Sequence, residues 1–147
     1  MTWAIRVAQC SLSGLALTLL LGGTGRADVV AVVSSKNPIT SLSKGQVADI
    51  FLGKIARFPD GTPAVPIDQE EGSSIRDEFY AVFAGKSPAQ LKSHWTKIIF
   101  TGRGKPPTAA SGSAEVRRLI GENPQAISYL DRSAVDNTVK VLEFPTK

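Results

Sequence analysis

Residues 64–79 have the sequence AVPIDQEEGSSIRDEF, which passes from an apolar segment through a glycine and two serines into an amphipathic segment. Residues 64–68 have the length of a short strand, and Ile75 and Phe79 fall on one face of a helix that begins after Gly72. A strand that leads through a short turn into a helix is typical of α/β domains. This stretch therefore predicts the fold class.

The segment before this stretch adds another strand and helix. Residues 29–33 (VVAVV) form a continuous β-branched run, which predicts a strand buried on both faces. Ser43, with Gln46 three residues later, predicts a helix N-terminus with a capping box. Gly53 is expected to end that helix in a left-handed conformation.

The segment after it continues the alternation. Ser87, followed by a proline, predicts the start of a third helix, and Ser111 or Ser113 is expected to cap a fourth. Closing strands are expected at residues 126–130 and 138–144. Strands that alternate with helices indicate an α/β domain, with a mostly parallel or mixed sheet flanked by helices.

The N-terminus has the features of a secretory leader. Arg6 precedes an apolar run at residues 12–21, and small residues follow at positions 25 and 27. The run is short for a transmembrane helix, so an uncleaved anchor is the less favoured alternative. We predict a signal peptide at residues 1–27 and one mature domain at residues 28–147.

Charge and cysteine content restrict the function classes. Arg6 and Arg26 lie in the predicted leader, so 17 basic residues fall to 15 against 13 acidic ones, and these are interspersed. This balance argues against nucleic-acid binding. The single cysteine, Cys10, precedes most of the apolar run, which argues against lipidation there, and the mature chain keeps no thiol for a disulfide.

The turn at residues 72–74 is a candidate anion site. The first turn of a helix offers unpaired N–H groups and a partial positive charge, Gly72 admits close approach, and Ser73 and Ser74 add hydroxyl donors. Arg76 either reaches the anion or pairs with an acidic neighbour on the surface. The simpler alternative is that Ser73 only caps the helix.

Three segments also carry the motifs of a known family in the family's order. Residues 48–54 (ADIFLGK) are similar to its Ala-Asp-Ile-Tyr/Phe-Leu-Gly-Lys segment, and residues 123–129 (NPQAISY) to its Thr-Pro-Gly-Ala-Ile-Gly-Tyr segment. Residues 72–73 match the first half of its Gly-Ser-Gly-Thr turn. Gln69 stands where the family has an arginine, and Ile75 where it has a threonine. The chain thus resembles the phosphate-binding proteins of ABC transporters.

The resemblance implies one three-layer lobe of the type 2 periplasmic binding protein fold. It also implies a periplasmic module that binds phosphate or a related oxyanion and works with an ABC permease or sensor, soluble after cleavage of the leader. The implied phosphate-binding residues are Gly72, Ser73, Ser74, Gln69 and Arg76. The alternative is a module that has lost the ligand, keeps the fold and docks on an envelope partner.

Enzymatic chemistry has little support in the sequence. His94 is the only histidine and has no second His or Cys nearby with which to bind a metal, so we expect a structural role for it. We therefore predict a protein that is not an enzyme and uses no cofactor or metal. The basic loop at residues 102–105 either completes an anion site, touches a partner or is simply solvated.

Overall fold

A computed structural model describes residues 27–145, so the predicted leader, apart from Ala27, lies outside the described residues. Within this range the chain forms five strands and four α-helices. The strands are β1 (Val29–Ser34), β2 (Val65–Gln69), β3 (Thr108–Ala110), β4 (Ala126–Asp131) and β5 (Val139–Val141). The helices are α1 (Lys44–Phe51), α2 (Ser74–Phe79), α3 (Pro88–Phe100) and α4 (Ser113–Glu122). A π-helical turn, Tyr80–Ala84, continues α2, and a 3-10 turn, Arg132–Ala134, follows β4.

All five strands lie in one mixed sheet with the order β3-β2-β4-β1-β5. β2 pairs in parallel with β3 and β4, whereas β1 pairs antiparallel with β4 and β5. The mixed sheet is within the predicted fold class. Because β2 and β4 are parallel, their C-terminal ends meet at one edge of the sheet, beside the start of α2.

Helices cover both faces of the sheet and form three layers. Ala31 and Val33 of β1 belong to a core cluster with residues of α1, α2 and α3. Val30 and Val32 belong to a second cluster with residues of α4. The prediction that the first strand is buried on both faces is therefore confirmed, as is the layered α/β class.

The predicted caps of α1 and α3 are also confirmed. Ser43 Oγ accepts a hydrogen bond from Gln46 N at 3.1 Å, and Gln46 Oε1 accepts one from Ser43 N at 2.9 Å. Ser87 and Gln90 form the same pair of bonds at 3.2 and 2.9 Å. Both helix starts were predictable because a capping box uses only neighbouring residues.

One expectation for the region after α3 is corrected, and one strand there was not predicted. Neither Ser111 nor Ser113 caps α4: the cap is Gly112, and Ser111 instead donates its hydroxyl and its N–H to Glu115 Oε2, both at 2.7 Å. Strand β3 was not predicted, because three residues at the sheet edge are too few for a periodic pattern. No helix among residues 27–145 is long and apolar enough to cross a membrane.

Candidate functional site

The candidate site lies where β2 ends, at the turn into α2. Gly72 in this turn has φ +90°, in the region that favours glycine, and a Cβ added there would meet no atom within 4 Å. Gly72 and Ser74 are both exposed. The sequence therefore places an open turn here, with its backbone accessible to solvent.

Ser73 is the N-cap of α2. Its Oγ accepts a hydrogen bond from Arg76 N at 3.4 Å and donates one to Gln69 Oε1 at 3.4 Å. The simpler alternative for Ser73, a cap, is thus what the structure has. The N–H groups of Ser74 and Ile75 have no acceptor within the described part of the chain. The donors that the turn offers to an anion are therefore mainly backbone N–H groups.

Gln69, at the end of β2, is buried, with 5 % of its surface exposed. Its Nε2 donates to the carbonyl oxygen of Tyr129 at 3.1 Å, and its Oε1 accepts from Ser73. Both ends of this amide are thus used inside the protein. Gln69 links β2 to β4 and to the cap of α2.

Asp68, which sequence reasoning did not assign to the site, is its central charge. It is 4 % exposed, and its Oδ1 accepts from the hydroxyl of Tyr129 at 2.5 Å and from Gln69 N at 2.8 Å. Its Oδ2 accepts from the hydroxyl of Tyr80 at 2.7 Å. A buried carboxylate needs such donors. The feature of the sequence that could have indicated this site is an aspartate at the end of a buried strand, in a chain with tyrosines that can donate to it.

The two tyrosines respond to this environment. Burial, reinforced by the negative charge of Asp68, raises the pKa of Tyr80 and of Tyr129 well above the ordinary tyrosine value. Both phenols therefore stay protonated and serve as hydrogen-bond donors. They hold Asp68 rather than act as bases.

Arg76 turns inward instead of pairing with Asp77 or Glu78 on the surface. Its Nε lies 3.5 Å from Asp68 Oδ2, and its guanidinium carbon lies 5.4 Å from the centre of the Tyr80 ring. The side chain is 14 % exposed. The Nε–H group is buried and makes no hydrogen bond, because the contact with Asp68 has the distance of an ion pair without hydrogen-bond geometry.

A cleft of about 310 Å³ lies between this site and α3. Asp68, Gln69, Glu71 and Arg76 line one side, and Trp95 of α3 is among the residues opposite. The structure thus brings Gln69 and Arg76 together in the cleft, whereas the lining does not include residues 72–74.

The cleft also borders two buried donors that lack acceptors. Among the described residues, the buried side-chain N or O atoms without a hydrogen-bond partner are Arg76 Nε and Trp95 Nε1, and both residues line this cleft. A buried N–H without an acceptor costs about 1–3 kcal/mol. Two residues of the cleft lining therefore each carry one N–H donor that no acceptor satisfies.

His94 has a structural contact. Its Nε2 lies 2.9 Å from the carbonyl oxygen of Leu52, so it joins α3 to the end of α1. Within residues 27–145 no group of three or more His, Cys, Asp or Glu side chains is arranged to hold a metal ion.

Solved structures with the same fold are phosphate-binding proteins by name. One is named as a phosphate ABC transporter substrate-binding protein from Clostridium perfringens, solved with bound phosphate, at 25% identity and TM-score 0.64. An ABC-type phosphate transport receptor from Vibrio cholerae has 20% identity and TM-score 0.63. A possible phosphate binding protein from Planctomyces limnophilus has 12% identity and TM-score 0.59. Each match covers 80% of this chain.

This chain spans less than half of each of those proteins, namely 44%, 46% and 41% of their lengths. No family model matches the sequence, and no curated protein matches it. The likeness therefore establishes the fold, a mixed five-stranded sheet flanked by helices that matches part of these binding proteins.

Proposed function

We propose that this chain is a periplasmic solute-binding module that holds phosphate or a related oxyanion in the cleft between β2 and α3, in partnership with an ABC permease or sensor. The observation that carries the proposal is the pair of buried donors without a hydrogen bond, Arg76 Nε–H and Trp95 Nε1–H, on residues lining one cleft. An oxyanion offers acceptors and negative charge, which suits both groups. The likeness to a protein solved with bound phosphate supports the same ligand class.

In this proposal Arg76 supplies the positive charge that Gln69 lacks. The resemblance places an arginine at the end of β2, where this chain has Gln69, but Arg76 reaches the cleft from the first turns of α2. The N–H groups of Ser74 and Ile75 also lack acceptors, but neither residue lines the cleft, so the binding in the cleft is assigned to side chains. Each hydrogen bond to a charged group contributes about 1.5–3 kcal/mol.

The expected affinity is low. Asp68 already neutralises much of the charge of Arg76, and Glu71 brings a second carboxylate to the cleft lining. Both carboxylates repel an oxyanion. We expect a dissociation constant of about 1 mM, which corresponds to about 4 kcal/mol and so to two or three charge-assisted hydrogen bonds.

Calorimetric titration with phosphate tests the proposal, with thermal melting as a second measurement. Phosphate at 100 times its dissociation constant is expected to add about 2.7 kcal/mol to the free energy of unfolding. Arg76→Gln should weaken binding at least about tenfold, and Trp95→Phe, which keeps a ring but loses the N–H, about three- to tenfold. Arg118→Gln is the matched control, because Arg118 is exposed on α4, across the sheet.

Two results would contradict the proposal. One is the absence of heat and of a melting shift with phosphate and sulfate at tens of millimolar. The other is equal phosphate affinity of Arg76→Gln, Arg118→Gln and the parent, provided that all three have the same circular dichroism spectrum.

The second candidate function is a module without a ligand that docks on an envelope partner. The observation that favours it is that Gln69 and Ser73, two of the predicted phosphate-binding residues, are hydrogen-bonded to each other and to the backbone. A titration without response would leave this function as the better explanation of the fold.

A further inference from the structure

Helix α3 has a second face that no other part of the described chain covers. Leu91 and Trp95 are buried, and Ile98 packs against the same core. Ala89, Ser93, Thr96 and Phe100 follow one another at helical spacing on the opposite side, where they border a shallow groove. The outward face of α3 therefore has no charged residue along its central stripe.

This outward face is weakly polar and ends in exposed apolar side chains. Thr96 Oγ1 donates to the carbonyl oxygen of Lys92 at 2.8 Å, so its hydroxyl is already satisfied within the helix. Phe100 is 91% exposed and Ile99 is 56% exposed. These are the two most exposed large hydrophobic residues in the described part of the chain.

Positive charge surrounds the same face. Lys92 and Lys97 are five positions apart, about 140° around the helix, and so lie on the two sides of the central stripe. Lys86, just before α3, lies with Ala89 and Lys97 on this side of the helix. Arg103 and Lys105 follow the helix, and Lys105 lies with Trp95 on its other side. None of these five cations forms an ion pair with a described residue.

The distribution of acidic residues strengthens this asymmetry. All 13 acidic residues of the sequence lie outside residues 79–114, the segment that contains the five cations. Elsewhere in the described chain, arginines such as Arg117, Arg118 and Arg132 are paired with carboxylates. These five cations therefore have no acidic residue within their own segment of the chain.

We propose that the outward face of α3, with Phe100 at its end and Lys86, Lys92 and Lys97 around it, docks on the anionic surface of a lipid bilayer. A helix with lysines beside an apolar stripe that ends in an aromatic ring suits the lipid interface. Phe100 would enter the boundary between headgroups and acyl chains, and the cations would contact the headgroup phosphates. This docking goes beyond the proposed oxyanion binding, and Lys92 and Thr96 line both the cleft and the outward groove.

Other occupants fit the observations less well. A second copy would place three cations against three cations, which repel. Protein interfaces are depleted in lysine, whereas all three of these cations are lysines. An anionic bilayer has neither difficulty, because its charge is opposite and its surface accommodates long, mobile lysine side chains.

Cosedimentation with vesicles tests the docking. The probe is a vesicle of equal parts phosphatidylglycerol and phosphatidylcholine, with pure phosphatidylcholine for comparison. We expect binding to the anionic vesicle only, and loss of most of it between about 0.1 M and about 1 M salt, where the screening length falls from about 10 Å to about 3 Å. The parent and all variants are prepared with the same N-terminus, so that any contribution of residues 1–26 to vesicle binding is the same in each.

Two variants separate the contributions of charge and of the aromatic ring. Lys86→Gln with Lys97→Gln should weaken binding about 25-fold, since each cation near an anionic surface contributes about fivefold. Phe100→Ser should weaken it about tenfold without changing the salt dependence. The matched controls are Lys36→Gln with Lys54→Gln for charge, and Ile55→Ser for an exposed apolar residue.

Several outcomes would overturn the proposal. The parent could fail to bind anionic vesicles at low salt, which would make an acidic protein surface the better occupant. It could bind neutral vesicles equally well. Phe100→Ser could bind as the parent does while the lysine variant loses binding, which would indicate general attraction to polyanions rather than docking.

Discussion

At the scale of single residues, Asp68 organises the end of β2. Its two oxygens accept three hydrogen bonds, from Tyr80, Tyr129 and the N–H of Gln69, and Arg76 lies beside it as counter-charge. A buried carboxylate is stable only when its lone pairs are used in this way. The same contacts hold α2, β2 and β4 together around the cleft.

The two tyrosines give the protein a predictable response to high pH. Their pKa values are raised in the folded chain, so above about pH 10 the unfolded chain releases phenol protons that the folded chain retains. The unfolded state then binds fewer protons, and the free energy of unfolding falls as pH rises, by about 1.4 kcal/mol per pH unit for each tyrosine. Urea unfolding between about pH 9 and about pH 11 measures the slope.

Tyr129→Phe is the matched variant for this prediction. It should remove about half of the tyrosine slope, and it should cost about 1.5–3 kcal/mol at neutral pH, because Asp68 loses one donor. Thr96→Val, which removes an exposed hydroxyl, should change neither quantity appreciably. An unchanged pH slope in Tyr129→Phe would contradict the burial of its phenol.

A second prediction at this scale concerns Gln69, which stands where the resemblance places an arginine. Gln69→Arg should strengthen phosphate binding about tenfold, because a guanidinium at the end of β2 would add paired N–H donors to the cleft. The gain should shrink at high salt. The variant should also lose stability, since the bonds of the Gln69 amide to Tyr129 and Ser73 are lost.

Gln125→Arg serves as the control for charge. It adds the same cation at an exposed position beside the start of β2, at the opposite end of the strand from the cleft. Isothermal titration of the two variants and the parent compares them directly. Equal phosphate affinity of both variants, with Gln69→Arg folded, would show that the end of β2 does not face the anion.

At the scale of elements, α3 is held to α1 by a close contact. Gly53 follows α1 with φ +74°, and a Cβ added to it would lie 3.1 Å from Cη2 of Trp95. The nearby His94 adds the hydrogen bond to Leu52. Because α3 lines the cleft and carries the outward face, this contact sets the position of both the cleft and that face.

Gly53→Ala should therefore destabilise the protein more than an alanine substitution at a glycine that has a similar positive φ but no close neighbour. Gly61 has φ +87°, and a Cβ there meets no atom within 4 Å. Gly61→Ala should therefore lower the free energy of unfolding only by the cost of the left-handed backbone conformation, about 1–2 kcal/mol. Gly53→Ala should cost about 1 kcal/mol more, for the overlap with Trp95. Urea unfolding of both variants measures the difference, and equal costs would mean that α3 shifts freely.

At the scale of the whole molecule, the sheet carries a core on each face, and both cores share the strands. Ala31 and Val33 of β1 point to one core, and Val30 and Val32 to the other. Both cores are formed by residues of the described part of the chain.

The corresponding prediction is export with cleavage between Ala27 and Asp28. Arg6, the apolar run at residues 12–21 and the small residues before position 28 motivate it. Intact-mass spectrometry of the protein recovered from the periplasmic fraction should give the mass of residues 28–147. A mass that retains residues 1–27, or a lipid adduct on Cys10, would contradict both the boundary and the soluble state.

The sequence by itself determined the layered α/β class, the caps at Ser43 and Ser87 and the two-sided burial of β1. Each of these depends on residues a few positions apart, through capping hydrogen bonds or the alternation of side chains along a strand. It also pointed to the turn at residues 72–74, because a strand, a glycine and two serines before a helix are adjacent in the chain.

Only the tertiary structure decided which groups meet in the cleft. Asp68 and Tyr129 are 61 positions apart and come together because β2 and β4 pair in parallel, which is a matter of strand order and register. Arg76 turns inward because that pairing creates a buried carboxylate within its reach. Local patterns set the conformation of each segment, but the packing of distant segments sets the partners of their side chains.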